Sequence, residues 1–225
     1  DVYAWYGNAI FHLEQGDAGE EVWATEYVAS DAATAAEHIS FTAAASAAGD
    51  VWFSGARTNT RSCPILVRRA SDGYHRVVDG IVQSSSSAPC VVRDGFDHLG
   101  IGGWLTDLQS SGPDELLGVV GTRTILRIGV TPDGQTYALT PVAVDTTGPN
   151  GGGLTSLWKS PTDVWGTSYG LILRSDTVDD PKRYGVSTIS RNGAPVDAMI
   201  RQIRGSSSTN LWAVGTRHAL HKTTP

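Results

Sequence analysis

One short segment of the sequence matches the pattern of a hydrolase nucleophile. Residues 166–170 read Gly166-Thr-Ser168-Tyr-Gly170, which is the G-x-S-x-G expression. That motif activates serine when a sharp turn from a strand into a helix exposes the hydroxyl. Here the segment lies between two β-like runs, in register with Ala4-Trp-Tyr-Gly-Asn8, which contains no serine. We therefore predict that Ser168 is an ordinary turn residue, and we predict no catalytic residue.

A second group of candidate residues lies in the segment Gly80–Gly103. It is rich in Gly and Ser and carries Arg93, Asp94, Asp97 and His98. Carboxylate and imidazole groups are ligands for divalent cations. The spacing D-x-x-D-H matches no recognised metal loop, however, and a solvated acidic loop is the favoured reading. We predict no cofactor, leave open a structural divalent cation, and assign no metal site.

The chain has two cysteines, Cys63 and Cys90. In an exported protein an even number of cysteines indicates disulfide pairing, and here one bond would tether the Gly80–Gly103 segment. The alternative is a pair of buried free thiols in a cytosolic protein. A metal site is disfavoured because neither cysteine belongs to a C-x-x-C pair. With 3 Lys against 14 Arg, the composition also suits export, and we expect an extracellular, cell-surface or periplasmic location.

The composition excludes several classes of protein. Of the 225 residues 40% are hydrophobic and 18% charged, which is typical of a chain that buries a core. It excludes wholesale disorder, collagen and coiled coil. The formal net charge of −6 argues against a nucleic-acid partner or an anionic membrane. No apolar run approaches the roughly 18 residues that a transmembrane helix needs.

An internal repeat organises the whole chain. Motifs of the type Asp-Val-Trp begin at positions 1, 50, 163 and 210, and a weaker copy begins at Asp114, so successive starts are 49, 64, 49 and 47 residues apart. The long interval contains the Gly80–Gly103 insertion. Each unit holds four short apolar runs separated by Gly, Pro, Asp or Ser, as in an antiparallel meander. Repeats of this length and type predict an all-β fold, a β-propeller of four-stranded blades.

We expect a single domain over residues 1–225, with five blades as the preferred number. The first unit begins at its second strand and the last stops after its third. The alternative is therefore a piece of a larger propeller. Trp52, Trp165 and Trp212 occupy the same place in their units, so we expect them in equivalent buried positions between blades.

Each unit also has an acidic or amide residue at the start of its second strand and a basic residue in its third. Examples are Asp1 with His12, Asp163 with Arg174, and Asn210 with His221. The favoured interpretation is a repeated ion pair or hydrogen bond that braces each hairpin. The alternative is a five-fold set of groups that face a ligand.

The segments Ser160-Pro-Thr-Asp163-Val-Trp-Gly and Asn210-Leu-Trp-Ala-Val-Gly215 resemble the DVWAVG-type repeats of bacterial exported β-propellers. The resemblance covers most of the chain and implies a propeller. That family has no single activity, so it implies no catalytic residue. The unit at 114–121 departs from the pattern because it lacks the Trp.

The leading hypothesis for function is an exported, non-catalytic binding or scaffold module that recognises a glycan or a protein through its loops. One alternative is a glycan-active hydrolase or lyase with acidic residues at the channel mouth. A third is a structural piece of a larger surface protein. Because long loops on rigid scaffolds often carry specificity, we expect Arg93, Asp94, Asp97 and His98 to bind the ligand. The alternative is that their segment only covers an apolar edge.

Overall fold

The structure is a computed structural model that describes residues 1–17, 19–29, 38–59, 61–81, 90–99, 103–120, 124–131, 136–144, 153–168, 170–179, 184–188, 190–191, 194–195 and 198–223. These residues form 21 β-strands, and no helix among them is long and apolar enough to cross a bilayer. The strands are β1 (Tyr3–Tyr6), β2 (Ala9–Gln15), β3 (Glu21–Val28), β4 (His38–Ala47), β5 (Asp50–Thr58), β6 (Ser62–Ala70), β7 (Gly73–Ile81), β8 (Val91–Val92), β9 (Leu105–Gly112), β10 (Glu115–Val120), β11 (Thr124–Val130), β12 (Tyr137–Ala143), β13 (Ser156–Lys159), β14 (Val164–Thr167), β15 (Leu171–Ser175), β16 (Gly185–Thr188), β17 (Ser190–Arg191), β18 (Ala194–Pro195), β19 (Ile200–Ser207), β20 (Asn210–Gly215) and β21 (His218–Lys222).

Five antiparallel meanders account for most of these strands. Blade 1 contains β1–β3, blade 2 contains β4–β8, blade 3 contains β9–β12, blade 4 contains β13–β16 and blade 5 contains β19–β21. The strands β17 and β18 form a separate hairpin. Neighbouring strands pair in sequence order because short turns of Gly, Asp, Pro and Ser separate the apolar runs. The predicted antiparallel meanders are confirmed, with four described strands in blades 3 and 4, three in blades 1 and 5 and five in blade 2.

The repeated motif marks the same strand in every blade, namely β1, β5, β10, β14 and β20. In blade 3 the register differs by one residue from the sequence-based prediction. Leu117 is paired with Arg127, as Trp52 is with Arg68 and Trp165 with Arg174. Glu115, rather than Asp114, therefore takes the position of the repeated acid.

The core is divided among the seams between successive blades. Trp52 packs with Leu105, Leu108 and Leu116 of blade 3, and Trp165 packs with Ile203 and Leu211 of blade 5. Alternate residues of each strand face opposite seams, so the second strands are apolar on both faces. Trp52 and Trp165 are buried, as the repeat predicts.

The expectation that Trp212 is also buried is wrong. It pairs with His221 as Trp52 does with Arg68, so its position in the blade is equivalent. Its side chain nevertheless remains 47% exposed. The reason is that in the described part of the chain no sheet packs over the outer face of blade 5, whereas blades 3 and 5 cover the corresponding faces of blades 2 and 4.

A threonine in the first strand, or directly before it, links each inner blade to the next. Thr42, Thr106 and Thr155 donate their hydroxyls to the carbonyls of Leu105, Thr155 and Ile200, at 3.1, 3.4 and 2.7 Å. These threonines are 64 and 49 residues apart, which is the spacing of the blades themselves. The recurrence of threonine at the repeat spacing was therefore a signal for this link between blades, and the sequence analysis did not use it.

Candidate functional site

The repeated acidic and basic residues pair within every blade. The contacts are Asp50–Arg68 at 2.6 Å, Glu115–Arg127 at 2.8 Å, Asp163–Arg174 at 2.7 Å, Asn210–His221 at 2.8 Å and Asp1–His12 at 3.7 Å. Each pair joins the strand that carries the repeated motif to the strand that follows it, so the predicted brace of the hairpin is confirmed. In blades 2 and 4 the guanidinium group also lies over the Trp ring, 5.7 Å and 5.2 Å from its centre.

Ser168 of the G-x-S-x-G segment is a buried turn residue between β14 and β15. Its hydroxyl donates to the carbonyl of Gly153 at 3.0 Å, and its amide donates to the carbonyl of Leu171. The chain enters a second antiparallel strand here, so the geometry of a nucleophile elbow is not formed at this serine. The position agrees with the prediction from the repeat.

Cys63 and Cys90 form a disulfide, as predicted. Beyond Cys90 the insertion runs back along β7 and supplies β8, which pairs with the end of β7. The amides of Arg93 and Asp97 continue this contact by donating to the carbonyls of Asp79 and Val77. Residues 90–97 thus cover the open edge of blade 2, while residues 82–89 of the insertion, with the serines 84–87, lie outside the described residues.

The four predicted ligand-binding residues have different surroundings. Arg93 reaches Asp79 at 3.4 Å, and Asp97 accepts a hydrogen bond of 2.5 Å from the hydroxyl of Tyr137. Asp94 and His98 are exposed. Asp94, Asp97 and His98 do not converge as a metal-binding group, because in the described part of the chain the one such group is His12, Glu14 and Glu26.

A buried ion pair anchors the insertion, and the sequence reasoning missed it. Arg57 and Asp79 have no exposed side-chain surface, and their charged groups lie 2.7 Å apart. Arg76 and Arg93 approach the second oxygen of Asp79 at 3.3 and 3.4 Å. Burial of a charge requires such partners. No local spacing joins Arg57 to Asp79, since the two residues lie on different strands 22 positions apart.

A recess of about 730 Å³ opens at the end of blade 2, and we call it the arginine recess. Asp50, Arg68, Arg69, Asp72, His75, Arg76 and Tyr137 line it. Three arginines against two aspartates make its lining positive, although the whole chain carries −6. The insertion reaches this recess through the hydrogen bond between Asp97 and Tyr137.

Two groups in the arginine recess have shifted pKa values. Burial raises the pKa of Tyr137 to about 12, and the hydrogen bond to Asp97 acts in the same direction. The phenol therefore remains protonated and can donate. A hydrogen bond with His75 lowers the pKa of Asp72, so that carboxylate stays ionised. Its electrostatic role is that of an ion-pair partner rather than a general acid.

A second recess of about 720 Å³ adjoins the first, and we call it the alanine groove. Its floor is the segment 44–49, in which small side chains leave space beside β4. Tyr3 and Trp5 of blade 1 form one wall, and Ser110 and Pro113 of blade 3 form another. Ala48 and Gly49 line both recesses, and they form the turn between β4 and β5 with φ angles of 51° and 83°. The two recesses therefore adjoin at this turn, which forms part of the lining of both.

No protein-family model matches the sequence, and no curated protein matches it. The structure is similar to the β-propeller protein YCF48 from Cyanidioschyzon merolae, with a TM-score of 0.54 and 14% identity over 97% of this chain and 66% of that chain. The chain thus spans just under two thirds of the YCF48 length. A structure of YCF48 bound to D1 peptide gives a TM-score of 0.44 at 13% identity, over 98% of this chain and 74% of that one. BamB from Moraxella catarrhalis gives 0.45 at 15% identity, over 95% and 57%.

At 14% identity the likeness to YCF48 from Cyanidioschyzon merolae shows the fold alone. The predicted all-β propeller is confirmed by this match and by the five meanders. The resemblance to DVWAVG-type bacterial proteins holds at the level of the fold, since no family model matches the sequence. The two likenesses with TM-scores below 0.5 are too weak to support an argument.

Proposed function

We propose that this chain is a non-catalytic binding module that recognises an extended protein segment with one acidic and one apolar side chain. The observation that carries the proposal is that the arginine recess and the alanine groove adjoin at the turn formed by Ala48 and Gly49. One end offers guanidinium groups and the other offers aromatic rings. An extended peptide that crosses the turn at Ala48 and Gly49 would place one side chain in the arginine recess and a neighbouring one in the alanine groove.

The arginine recess suits a carboxylate because guanidinium groups donate charge-assisted hydrogen bonds. Arg69 is the best candidate to bind it. Its side chain is 30% exposed, and its ion pair with Glu26 is long, at 3.9 Å. Arg68 is committed more tightly to Asp50, at 2.6 Å. A peptide carboxylate would therefore compete with a weak ion pair at Arg69 and with a strong one at Arg68.

The alanine groove suits an apolar or aromatic side chain. Trp5 is 37% exposed and stands edge-on against the buried ring of Phe53, which fixes its orientation. A fixed aromatic surface gains contact area with little loss of side-chain entropy. An exposed Trp also stacks on sugars, which is the observation in favour of glycan recognition as a second candidate.

The insertion belongs to this proposal as the rim of the arginine recess. Asp97 is held by Tyr137, which lines the recess, and Asp94 and His98 lie exposed close to it in sequence. We propose that Asp94, Asp97 and His98 contact the ligand beyond its acidic residue, and that Arg93 positions this segment on Asp79. The disulfide supports an oxidising location, outside the cytoplasm.

Two features support binding rather than glycan hydrolysis. A glycosidase needs two carboxyl groups that face each other, one of them with a raised pKa. In the arginine recess Asp50 is paired with Arg68, and Asp72 is paired with His75 at 2.8 Å with a lowered pKa. These carboxylates are ion-pair partners.

An array of immobilised 12-residue peptides tests the proposal. Each peptide carries one Asp or Glu and one Phe, Leu or Trp at a defined separation, and matched peptides carry Asn or Gln instead of the acid. We expect binding to acidic peptides, weakened about tenfold or more by Arg69→Ala and by Trp5→Ala, since each removes a contact worth roughly 1.5 kcal/mol. Arg201→Ala, an exposed arginine of blade 5, is the matched control and should bind normally. Equal binding of acidic and amide peptides, or binding on a parallel glycan array alone, would contradict the proposal.

A further inference from the structure

Three side chains of blade 1 converge at the seam with blade 2, and none of the three lines either recess. His12 and Glu14 are two positions apart on β2, so both point to the same face of the sheet. Glu26 is on β3, where Ile10 is paired with Tyr27 and Phe11 with Thr25. Glu26 is therefore the extra residue of a β-bulge, a feature that redirects a side chain.

The distances in this triad match those between ligands of one metal ion. Nδ1 of His12 lies 3.2 Å from Oε1 of Glu26 and 3.6 Å from Oε1 of Glu14, and all three atoms lie within 4.8 Å of one another. Two metal–ligand bonds of about 2.1 Å at the tetrahedral angle place their ligand atoms about 3.4 Å apart. The three atoms thus surround a point that a small divalent cation can occupy.

The nitrogen that faces this point has no other partner. Nδ1 of His12 is buried and makes no hydrogen bond to any residue that the structure describes, although two carboxylate oxygens lie near it. The opposite nitrogen, Nε2, faces Asp1 at 3.7 Å, and the ring is stacked on Tyr3 with 4.7 Å between ring centres. A carboxylate behind the imidazole is the usual support of a metal-binding histidine, because it fixes the ring and raises the basicity of the ligand nitrogen.

Glu26 is also held by a second group. Its Oε2 accepts a hydrogen bond of 2.5 Å from the hydroxyl of Tyr74 in blade 2, which leaves Oε1 directed at His12. An ion bound here would join β2 to β3 and, through Tyr74, blade 1 to blade 2. One imidazole nitrogen with two carboxylate oxygens is a donor set for Zn²⁺ rather than for Ca²⁺ or Mg²⁺, which prefer oxygen ligands alone.

We propose that His12, Glu14 and Glu26 bind one Zn²⁺ ion through Nδ1 and one oxygen of each carboxylate, with water as the fourth ligand. The site is structural, and it strengthens the seam between blades 1 and 2. It uses none of the residues to which the peptide contacts are assigned, although Glu26 is also the ion-pair partner of Arg69. Zn²⁺ binding is measured without any peptide, so failure of this proposal is distinguishable from failure of the proposed function.

Titration calorimetry with ZnCl₂ tests this proposal on untagged protein that has been treated with a chelator and then exchanged into metal-free buffer. We expect one Zn²⁺ per chain and a rise of the Tm with added Zn²⁺. His12→Gln, Glu14→Gln and Glu26→Gln should each weaken binding by about tenfold or more and reduce the rise in Tm. Visible d–d absorption of the Co²⁺-substituted protein should report the four-coordinate geometry.

His221→Gln and Glu21→Gln are the matched controls. His221 is the repeat equivalent of His12 but is paired with Asn210, and Glu21 is an exposed glutamate of β3. Both variants should bind Zn²⁺ normally. Absence of saturable binding by the parent protein, or normal binding by Glu14→Gln, would overturn the proposal. The side chain of Glu14 is 48% exposed, so this variant remains decisive even if His12→Gln fails to fold.

Discussion

Trp52 and Trp212 occupy the same position in two blades, but Trp52 is fully buried and Trp212 is 47% exposed. Each is paired with a basic residue of the third strand. Trp52 also packs edge-on against Tyr137 of the next blade, at 5.3 Å between ring centres. Trp212 instead stacks on His221 of its own blade, at 4.1 Å.

This difference predicts unequal contributions to stability. Trp52→Ala should lower the free energy of unfolding by about 3–5 kcal/mol, because it leaves a cavity between two blades. Trp212→Ala should lower it by about 1 kcal/mol or less, because water already reaches the ring. Urea unfolding of the two variants measures both values. Equal losses would show that the two seams are equally covered in solution.

The carboxylate of Asp163 predicts a loss of stability in acid. Burial disfavours its charged form, but hydrogen bonds from Ser208, Arg174 and Thr162 outweigh this effect and lower the pKa of Asp163 below its usual value. A carboxyl whose pKa is lower in the folded state stabilises the fold above the unfolded-state pKa of about 3.9, and this stabilisation is lost as the pH falls through the folded-state pKa.

The variant Asp163→Asn tests this sign, and Asn210 shows that an amide fits the same position in blade 5. The Tm difference between the parent protein and the variant should be constant above about pH 5 and should shrink below about pH 4. A difference that does not change between pH 2 and 6 would exclude Asp163 as a source of the acid sensitivity.

The buried pair Arg57–Asp79 predicts that Arg57 contributes more to stability than Arg93, although both arginines approach the same carboxylate. Arg57→Met should lower the free energy of unfolding by about 3–5 kcal/mol, because it removes a partner from a fully buried carboxylate. Arg93→Ala should lower it by about 1 kcal/mol or less, because this side chain is 36% exposed and Asp79 retains Arg57. Guanidinium unfolding of both variants gives the comparison, and similar losses would count against it.

The hydrogen bonds from threonine that link neighbouring blades should each contribute a small amount to the free energy of unfolding. Thr155→Val keeps the shape of the side chain but removes the hydroxyl that donates to Ile200 at 2.7 Å. It should lower the free energy of unfolding by about 1–2 kcal/mol, with a smaller loss for Thr106→Val, where the bond is 3.4 Å. Thermal unfolding measures both losses, and Thr136→Val at an exposed position before β12 serves as the control.

The insertion should itself contribute to the stability of the fold. Leu99 is buried in the core between blades 2 and 3, so Leu99→Ala should lower the free energy of unfolding by about 2–3 kcal/mol. Replacing both Cys63 and Cys90 by Ser should lower it by about 3 kcal/mol, because the bond closes a loop with a sequence separation of 27. An insertion that merely decorates the surface would show no loss for Leu99→Ala when the variants are compared by urea unfolding, whereas the loss from removing the disulfide arises mainly in the unfolded chain.

The sequence alone determined the features that depend on contacts within one repeat. The order of strands follows from apolar runs and turn residues, and the pairing of Asp163 with Arg174 follows from their common spacing in several units. Both arise inside one hairpin, where the distance along the chain determines the distance in space. The disulfide was predicted for another reason, since two cysteines in an exported chain have one way to pair.

The tertiary structure decided the features that depend on neighbouring blades. The exposure of Trp212 depends on whether another sheet covers its face, and no residue of blade 5 encodes this. Arg57 contacts Asp79 because the strands of blade 2 bring the two side chains together, and His12 lies next to Glu26 because a β-bulge redirects the side chain of Glu26. The one-residue shift from Asp114 to Glu115 has the same origin, because a register is set by which pairing buries Leu116 and Leu117 on opposite seams.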